Sequence, residues 1–207
     1  LPLAVSKHLK STTSDMEESE VSEQALKVLK ANNKSLHREV LDNGMICLVK
    51  QDSSAPVVAI QVWVRTGSIH EDDMLGSGLS HAIEHMIFKG TRQRSSYQIA
   101  KEFDAIGGHT NAFTAMETTC YHAKVMDTHT ETMVDILSDI FLNSIFDPLE
   151  IEKERPVILQ EIGMVEDNPE DLIHHLMARN FWDDTPLGRS ILGQPEDVLQ
   201  FDQKKIK

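Results

Sequence analysis

The residues best equipped for chemistry lie in Gly78-Leu79-Ser80-His81-Ala82-Ile83-Glu84-His85-Met86-Ile87-Phe88-Lys89-Gly90-Thr91, with the pattern H-x-x-E-H at its centre. On a helix, His81 and His85 stand one turn apart on one face. Two imidazoles so placed can hold one metal ion from one side. Glu84, three residues after His81, projects near the same face and can take a proton from water beside the metal. Ile83, Met86, Ile87 and Phe88 are apolar and can anchor the helix in a core. The competing reading is plain: a histidine near an apolar helix face is more often packed or solvated than a ligand, and a motif this short also arises by chance. The surrounding sequence has to decide.

A catalytic zinc site needs three protein ligands and one open position. No other His or Cys lies nearby at ligand spacing, so the third ligand must come from a distant segment. The segment 150–162 is the best donor. Its Glu154 and Glu161 are seven residues apart, two helical turns, and share a face. Val157, Ile158 and Ile162 can bury another part of its surface. A carboxylate leaving a buried helix surface toward two histidines is satisfied by a metal rather than stranded. On spacing alone, the alternative is a pair of solvated glutamates on a charged helix.

The elements that must position these residues follow in chain order. Residues 1–35 read as a polar, charged lead with one short helix near Ala25 to Leu29, too poor in apolar residues to order itself. Residues 37–41 and 45–50, joined at Asn43-Gly44, predict a β-hairpin. Residues 57–65, rich in Val, Ile and Trp, predict an interior strand. The acidic loop Glu71-Asp72-Asp73 leads into the H-x-x-E-H helix, and a second helix over 96–106 stops at Gly107-Gly108. Strands are expected over 109–115 and 118–126. Helices are expected over 128–144, 150–165 and 169–182, and a last one opens at Gln194-Pro195-Glu196. Pro156 falls inside the 150–165 helix and should kink it or mark its start, which bears on where Glu154 points. Strands early and helices late predict an α+β fold, a largely antiparallel sheet covered by helices.

Composition narrows the function classes. The chain has 207 residues and a formal net charge of −13, which argues against a nucleic-acid partner. No apolar run approaches the length of a membrane span. Cys47 and Cys120 are far apart and form no C-x-x-C, so neither a disulfide framework nor a thiolate zinc site is expected. A reducing compartment fits best: the bacterial cytoplasm is expected, with the periplasm and an organelle matrix as alternatives.

Taken together, these motifs resemble the pitrilysin family, whose H-x-x-E-H motif marks the inverted zincins, and most nearly its processing-peptidase-like and short bacterial members. The resemblance spans about residues 38–200. It rests on Gly78 to Thr91, on Gly107-Gly108-His109-Thr110-Asn111-Ala112-Phe113-Thr114 with Glu117, Thr119 and Tyr121, and on Glu154-Arg155-Pro156-Val157-Ile158-Leu159-Gln160-Glu161-Ile162. Pro186-Leu187-Gly188-Arg189 and Ile191-Leu192-Gly193 extend it. It implies one zinc ion bound by His81, His85 and Glu161, with Glu84 as general base and Glu154 as a supporting carboxylate. It implies a substrate strand formed by Asn111, Ala112 and Phe113, to which an unfolded peptide adds. The implied activity is that of a zinc endopeptidase. Family members have two related halves, so residues 36–207 are expected to be the metal-bearing half, either a fragment or one part of a split enzyme. The missing partner is then a second family-type half, or a second copy in a homodimer. The alternatives are an inactive metal-bearing assembly subunit and a structural zinc domain; the latter needs four ligands and no base, which Glu84 argues against.

Overall fold

The computed structural model describes residues 36–207; the expected lead and its short helix lie outside the described residues. Two compact units divide after Ala55. The first holds a hairpin of β1 (Leu36–Val40) and β2 (Ile46–Lys50), paired antiparallel with Val40 opposite Ile46. Its turn differs from a two-residue Asn-Gly turn. Leu41 N–H donates to the Met45 carbonyl at 2.9 Å and Gly44 N–H to the Leu41 carbonyl at 2.8 Å, which leaves a three-residue loop. Only Gly44 then needs a positive φ, +83°, and Asn43 instead accepts Met45 N–H on its side chain.

The second unit, Pro56 to Lys207, is built on a three-stranded antiparallel sheet of β3 (Val57–Val64), β4 (His109–Thr114) and β5 (Thr119–Met126), in the order β3-β5-β4. The apolar run 57–64 does form a strand, but at the edge of this sheet. β5 holds the interior place, because the turn 115–118 folds it back on β4 and β3 closes on its other side. A β-branched run signals a strand; it carries no information on rank within a sheet.

Helices cover one face of the sheet. α1 (Leu79–Ile87) and α2 (Ser96–Ala105) follow β3, and α3 (Thr130–Asn143) follows β5. Ile99 and Phe103 of α2 and Met133, Ile136, Leu137 and Ile140 of α3 bury Ala123 and Val125 of β5. α2 starts at a capping box, with Ser95 accepting Gln98 N–H. α4 (Pro148–Asp167) starts where Asp147 accepts Leu149 N–H at 2.7 Å with Pro148 at its first position. Pro156 neither breaks nor starts it. The carbonyl that loses its helical donor is that of Glu152, and both residues are exposed, so water can satisfy it. α5 (Pro169–Trp182) follows. The expected last helix resolves into two short ones, α6 (Pro195–Val198) and α7 (Gln203–Ile206). Buried Phe201 anchors the chain between them, and Asp202 caps the second. Ala82 and Met86 of α1 pack against Ile151, Ile158 and Ile162 of α4, with Val198, Phe201 and Ile206 closing this second core.

Two local features hold the frame. Gly78 caps α1 at φ +80°, and a Cβ there would lie 2.3 Å from the Leu192 carbonyl oxygen. Arg94 lies against Glu102, Asp135 and Asp139, and buried Asp139 also accepts from Thr91 and Asn143. Burial pulls the Asp139 carboxyl up, but the bonds from Arg94, Thr91 and Asn143 together carry it below the usual carboxylate range.

Gly78→Ala should lower stability by about 1–3 kcal/mol, from a disfavoured φ and the carbonyl clash, read as a lowered urea midpoint. Asp139→Asn should cost about 1–3 kcal/mol at neutral pH. A depressed folded pKa gives stability that is complete above the unfolded value, about 3.9, and is lost as pH falls through the folded one. The gap between wild type and Asp139→Asn should therefore close on acidification below about pH 4. An unchanged gap across that range would show that the Asp139 charge contributes nothing.

Candidate metal centre

α1 is short, and it lies between β4 on one side and α4 on the other. His81, His85 and Lys89 follow one another at four-residue steps, so they form one stripe. Lys89 lies just past the helix end, held in register because its N–H donates to the Met86 carbonyl at 3.1 Å. On α4, Ile151, Glu154, Ile158 and Ile162 are buried, with Glu161 half-buried beside them, so both carboxylates lie on the stripe that faces α1. The two stripes run in opposite directions. Glu161 meets His81 and His85, and seven residues earlier Glu154 meets His85 and Lys89.

Three ligand-type atoms converge here. His81 Nε2 and His85 Nε2 are 3.1 Å apart, and Glu161 Oε2 is 3.3 Å from each. Ligand atoms about 2.0–2.1 Å from a tetrahedral ion are separated by about 3.3–3.4 Å. The triangle of donors therefore fits a zinc-sized tetrahedral ion, and two imidazoles with one carboxylate are donors that such an ion accepts. Among the described residues, this is the one group of three or more His, Cys, Asp or Glu side chains so converged.

The two imidazoles are held differently. His85 Nδ1 lies 3.0 Å from Glu154 Oε1. A carboxylate accepts only, so Nδ1 carries the proton and Nε2 turns its lone pair to the centre. His81 Nδ1 is buried with no hydrogen-bond partner among the described residues. Burial and the neighbouring His85 push the His81 pKa down to about 4, so it is neutral at pH 7. Burial pulls His85 down too, but the bond to Glu154 and the charges of Glu161, Glu154 and Glu84 raise it overall. A metal at the centre must therefore displace a proton from His85 as the pH falls.

Glu84 leaves α1 on the side toward β4, where Thr114 Oγ1 donates to its Oε2. Burial raises the Glu84 carboxyl, and the Thr114 bond offsets part of that. A carboxylate so raised is a better proton acceptor near neutral pH.

Asn111, Ala112 and Phe113 all fall on β4, a free edge of the sheet among the described residues, but they face differently. Ala115 N–H donates to the Thr118 carbonyl at 2.8 Å. Alternation of antiparallel pairs then turns the backbone of Thr110, Ala112 and Thr114 to the free edge and that of Asn111 and Phe113 toward β5. Ala112 N–H is met by the Asn111 side-chain oxygen at 2.9 Å. Phe113 points to the far face, edge-on to Trp63 at 5.6 Å between ring centroids. Of the three, Ala112 is the one whose backbone faces away from β5.

Three residues of the site escape a sequence reading. Thr114 orients Glu84 from another element. Glu71, nine residues upstream, is buried and accepts Ser80 N–H at 2.8 Å, bracing the first turn of α1. Lys89 reaches Glu154 Oε2 at 2.6 Å. Only the i, i+4 spacing of Lys89 from His85 left a trace in the sequence. The centre opens into a cleft of about 1000 Å³ whose lining includes His81, Glu84, Ala112, Phe113 and Thr114. His174 and His175, adjacent on α5, line the cleft and are not part of the converging group.

Similarity to known proteins agrees with this geometry. The chain is 41% identical to the Bacillus subtilis protein named uncharacterized zinc protease YmxG over 83% of its length, spanning 42% of that protein. It is 36% identical to the mitochondrial-processing peptidase subunit beta of Bos taurus over 80% of its length, spanning 34% of it. The fold matches the peptidase M16 inactive domain of Pseudomonas fluorescens with a TM-score of 0.75 at 12% identity, over 83% of this chain and 42% of that one. The family model for insulinase, peptidase family M16, matches residues 46–195, and the chain belongs to that family.

Proposed function

We propose that this chain carries the metal site of a zinc-dependent endopeptidase that hydrolyses unfolded peptides, with one zinc ion per chain. The observation that carries this reading is the convergence of His81, His85 and Glu161 within 3.1–3.3 Å, with the Glu84 carboxylate on the same helix. The zinc protease names of relatives support the choice of metal.

His81, His85 and Glu161 would hold the ion. When bound, zinc acts as a Lewis acid that acidifies water and polarises a peptide carbonyl. Glu84 does the proton work. Thr114 occupies its Oε2, so Oε1 is free to take a proton from the attacking water and then to deliver it to the leaving amine nitrogen. The free edge at Ala112 is suited to an extended peptide adding as a strand, with Asn111 and Phe113 supporting that edge from the other face of the sheet. Such pairing needs exposed backbone, so it selects unfolded segments.

A second reading has the same metal site depend on a second family-type half, or a second copy, for turnover. Its support is length: the chain spans 42% and 34% of the two relatives above.

One assay separates the two. A quenched fluorescent peptide is incubated with the zinc-loaded chain, with Glu84→Gln as control and zinc measured in parallel. The mutant should keep one zinc and lose about 10²–10⁴-fold in rate. His81→Ala should lose the metal, and full zinc in that variant would sink the ligand assignment. A wild type that binds zinc without turnover favours the second reading. Zinc affinity should also weaken as pH falls through the raised His85 value, measurable by competition with a chelator.

A further inference from the structure

The charge behind His85 does not end at Glu154. Glu154 is 7% exposed and lies under α1, with one oxygen on His85 Nδ1 at 3.0 Å and the other on Lys89 Nζ at 2.6 Å. A buried carboxylate with only one oxygen partnered is costly, and it can rotate or draw in water to meet the other. Lys89 removes that freedom, because it takes up the second oxygen and balances the charge. The lysine is itself well placed. Its own N–H is bonded within the end of α1, and the residues just after it are tied down. Gly90 accepts Ile145 N–H at 3.1 Å, and Thr91 bridges Ser144. Its ammonium therefore starts from a fixed backbone, and its side chain is 31% exposed, open enough to be substituted without emptying a core.

Resting on the metal-site reading above, we infer that Lys89 is a positioning residue for the metal centre, acting through Glu154 to fix the tautomer and orientation of His85. The chain Lys89–Glu154–His85 directs the His85 Nε2 lone pair to the centre. Without Lys89, Glu154 keeps its place on α4 but not a single orientation, and His85 loses part of its alignment.

A double-mutant cycle with cobalt(II) as the probe tests this. Metal affinity and the visible absorption of bound cobalt are measured in wild type, Lys89→Met, Glu154→Gln and the double variant, with Lys89→Arg as the conservative control. Partners outside the ligands typically matter by about 10–100-fold in metal affinity. The expected loss for Lys89→Met is about tenfold, the low end of that range. It should come with an altered cobalt spectrum, and Lys89→Arg should restore most of both. In the Glu154→Gln background, Lys89→Met should cost nothing further, because the two act as one unit. Unchanged affinity and spectrum in Lys89→Met overturn the inference, as does an equal loss in both backgrounds. Thermal unfolding of each variant checks that the fold is kept, and Lys89→Gln replaces Lys89→Met if that variant unfolds. A wild type that binds no cobalt, or binds it undiminished in His81→Ala, overturns the metal-site reading and this inference with it. A wild type that binds through His81 but ignores Lys89 overturns this inference alone.

Discussion

The packing of α1 against the middle of α4 is the contact on which the site depends. Ala82 and Met86 bury against Ile151, Ile158 and Ile162, and that apolar contact sets the spacing of the two helices. Because the helices run in opposite senses there, one stripe of His81, His85 and Lys89 meets one stripe of Glu161 and Glu154. Charge is thereby arranged in alternation along the seam: imidazole with carboxylate, then carboxylate with ammonium. None of these polar groups would be tolerated at a helix interface singly. As a set they satisfy one another, apart from His81 Nδ1.

The other side of α1 does different work. There β4 brings Thr114 to Glu84, so one nine-residue helix serves two neighbours, with the candidate ligands His81 and His85 toward α4 and the Glu84 carboxylate toward the sheet. The N-terminal turn of α1 is held by Glu71 and by the close passage of Gly78 beside Leu192. These contacts leave the helix little freedom to rotate. A rotation would carry His81 and Glu84 away from their partners together. The similarity in fold to a domain named inactive is instructive here: the fold alone does not carry catalysis, and the case for this chain rests on its side chains.

Much of this was legible in the residues. Periodicity located α3, α4 and α5, and the Gly107-Gly108 stop after α2 needed no tertiary information. The seven-residue step from Glu154 to Glu161 already put both carboxylates on one face. Other readings failed for identifiable reasons. Pro156 signals a break, yet α4 passes through it because the orphaned carbonyl faces water. The Val-rich run at 57–64 signals an interior strand, yet it lies at an edge, since composition reports burial tendency and not order in a sheet. The Asn43-Gly44 pair signals a two-residue turn, but the register of β1 on β2 leaves three residues in the loop.

The sequence by itself determined which residues could ligate a metal, which could move a proton, and the helical spacing that groups them in twos. That follows from side-chain chemistry and from a 3.6-residue period, both local properties. Spacing left open which carboxylate takes which histidine; the resemblance pointed to Glu161 as the ligand, and the tertiary structure supplies the physical reason. From residue numbers, Glu154 and Glu161 are equivalent candidates. The direction in which α4 crosses α1 makes one a neighbour of the converging Nε2 atoms and the other a partner of Nδ1. It also decided that Thr114, Glu71 and Lys89 belong to the site, because each reaches it from another element or from beyond the helix end, where no local period can report.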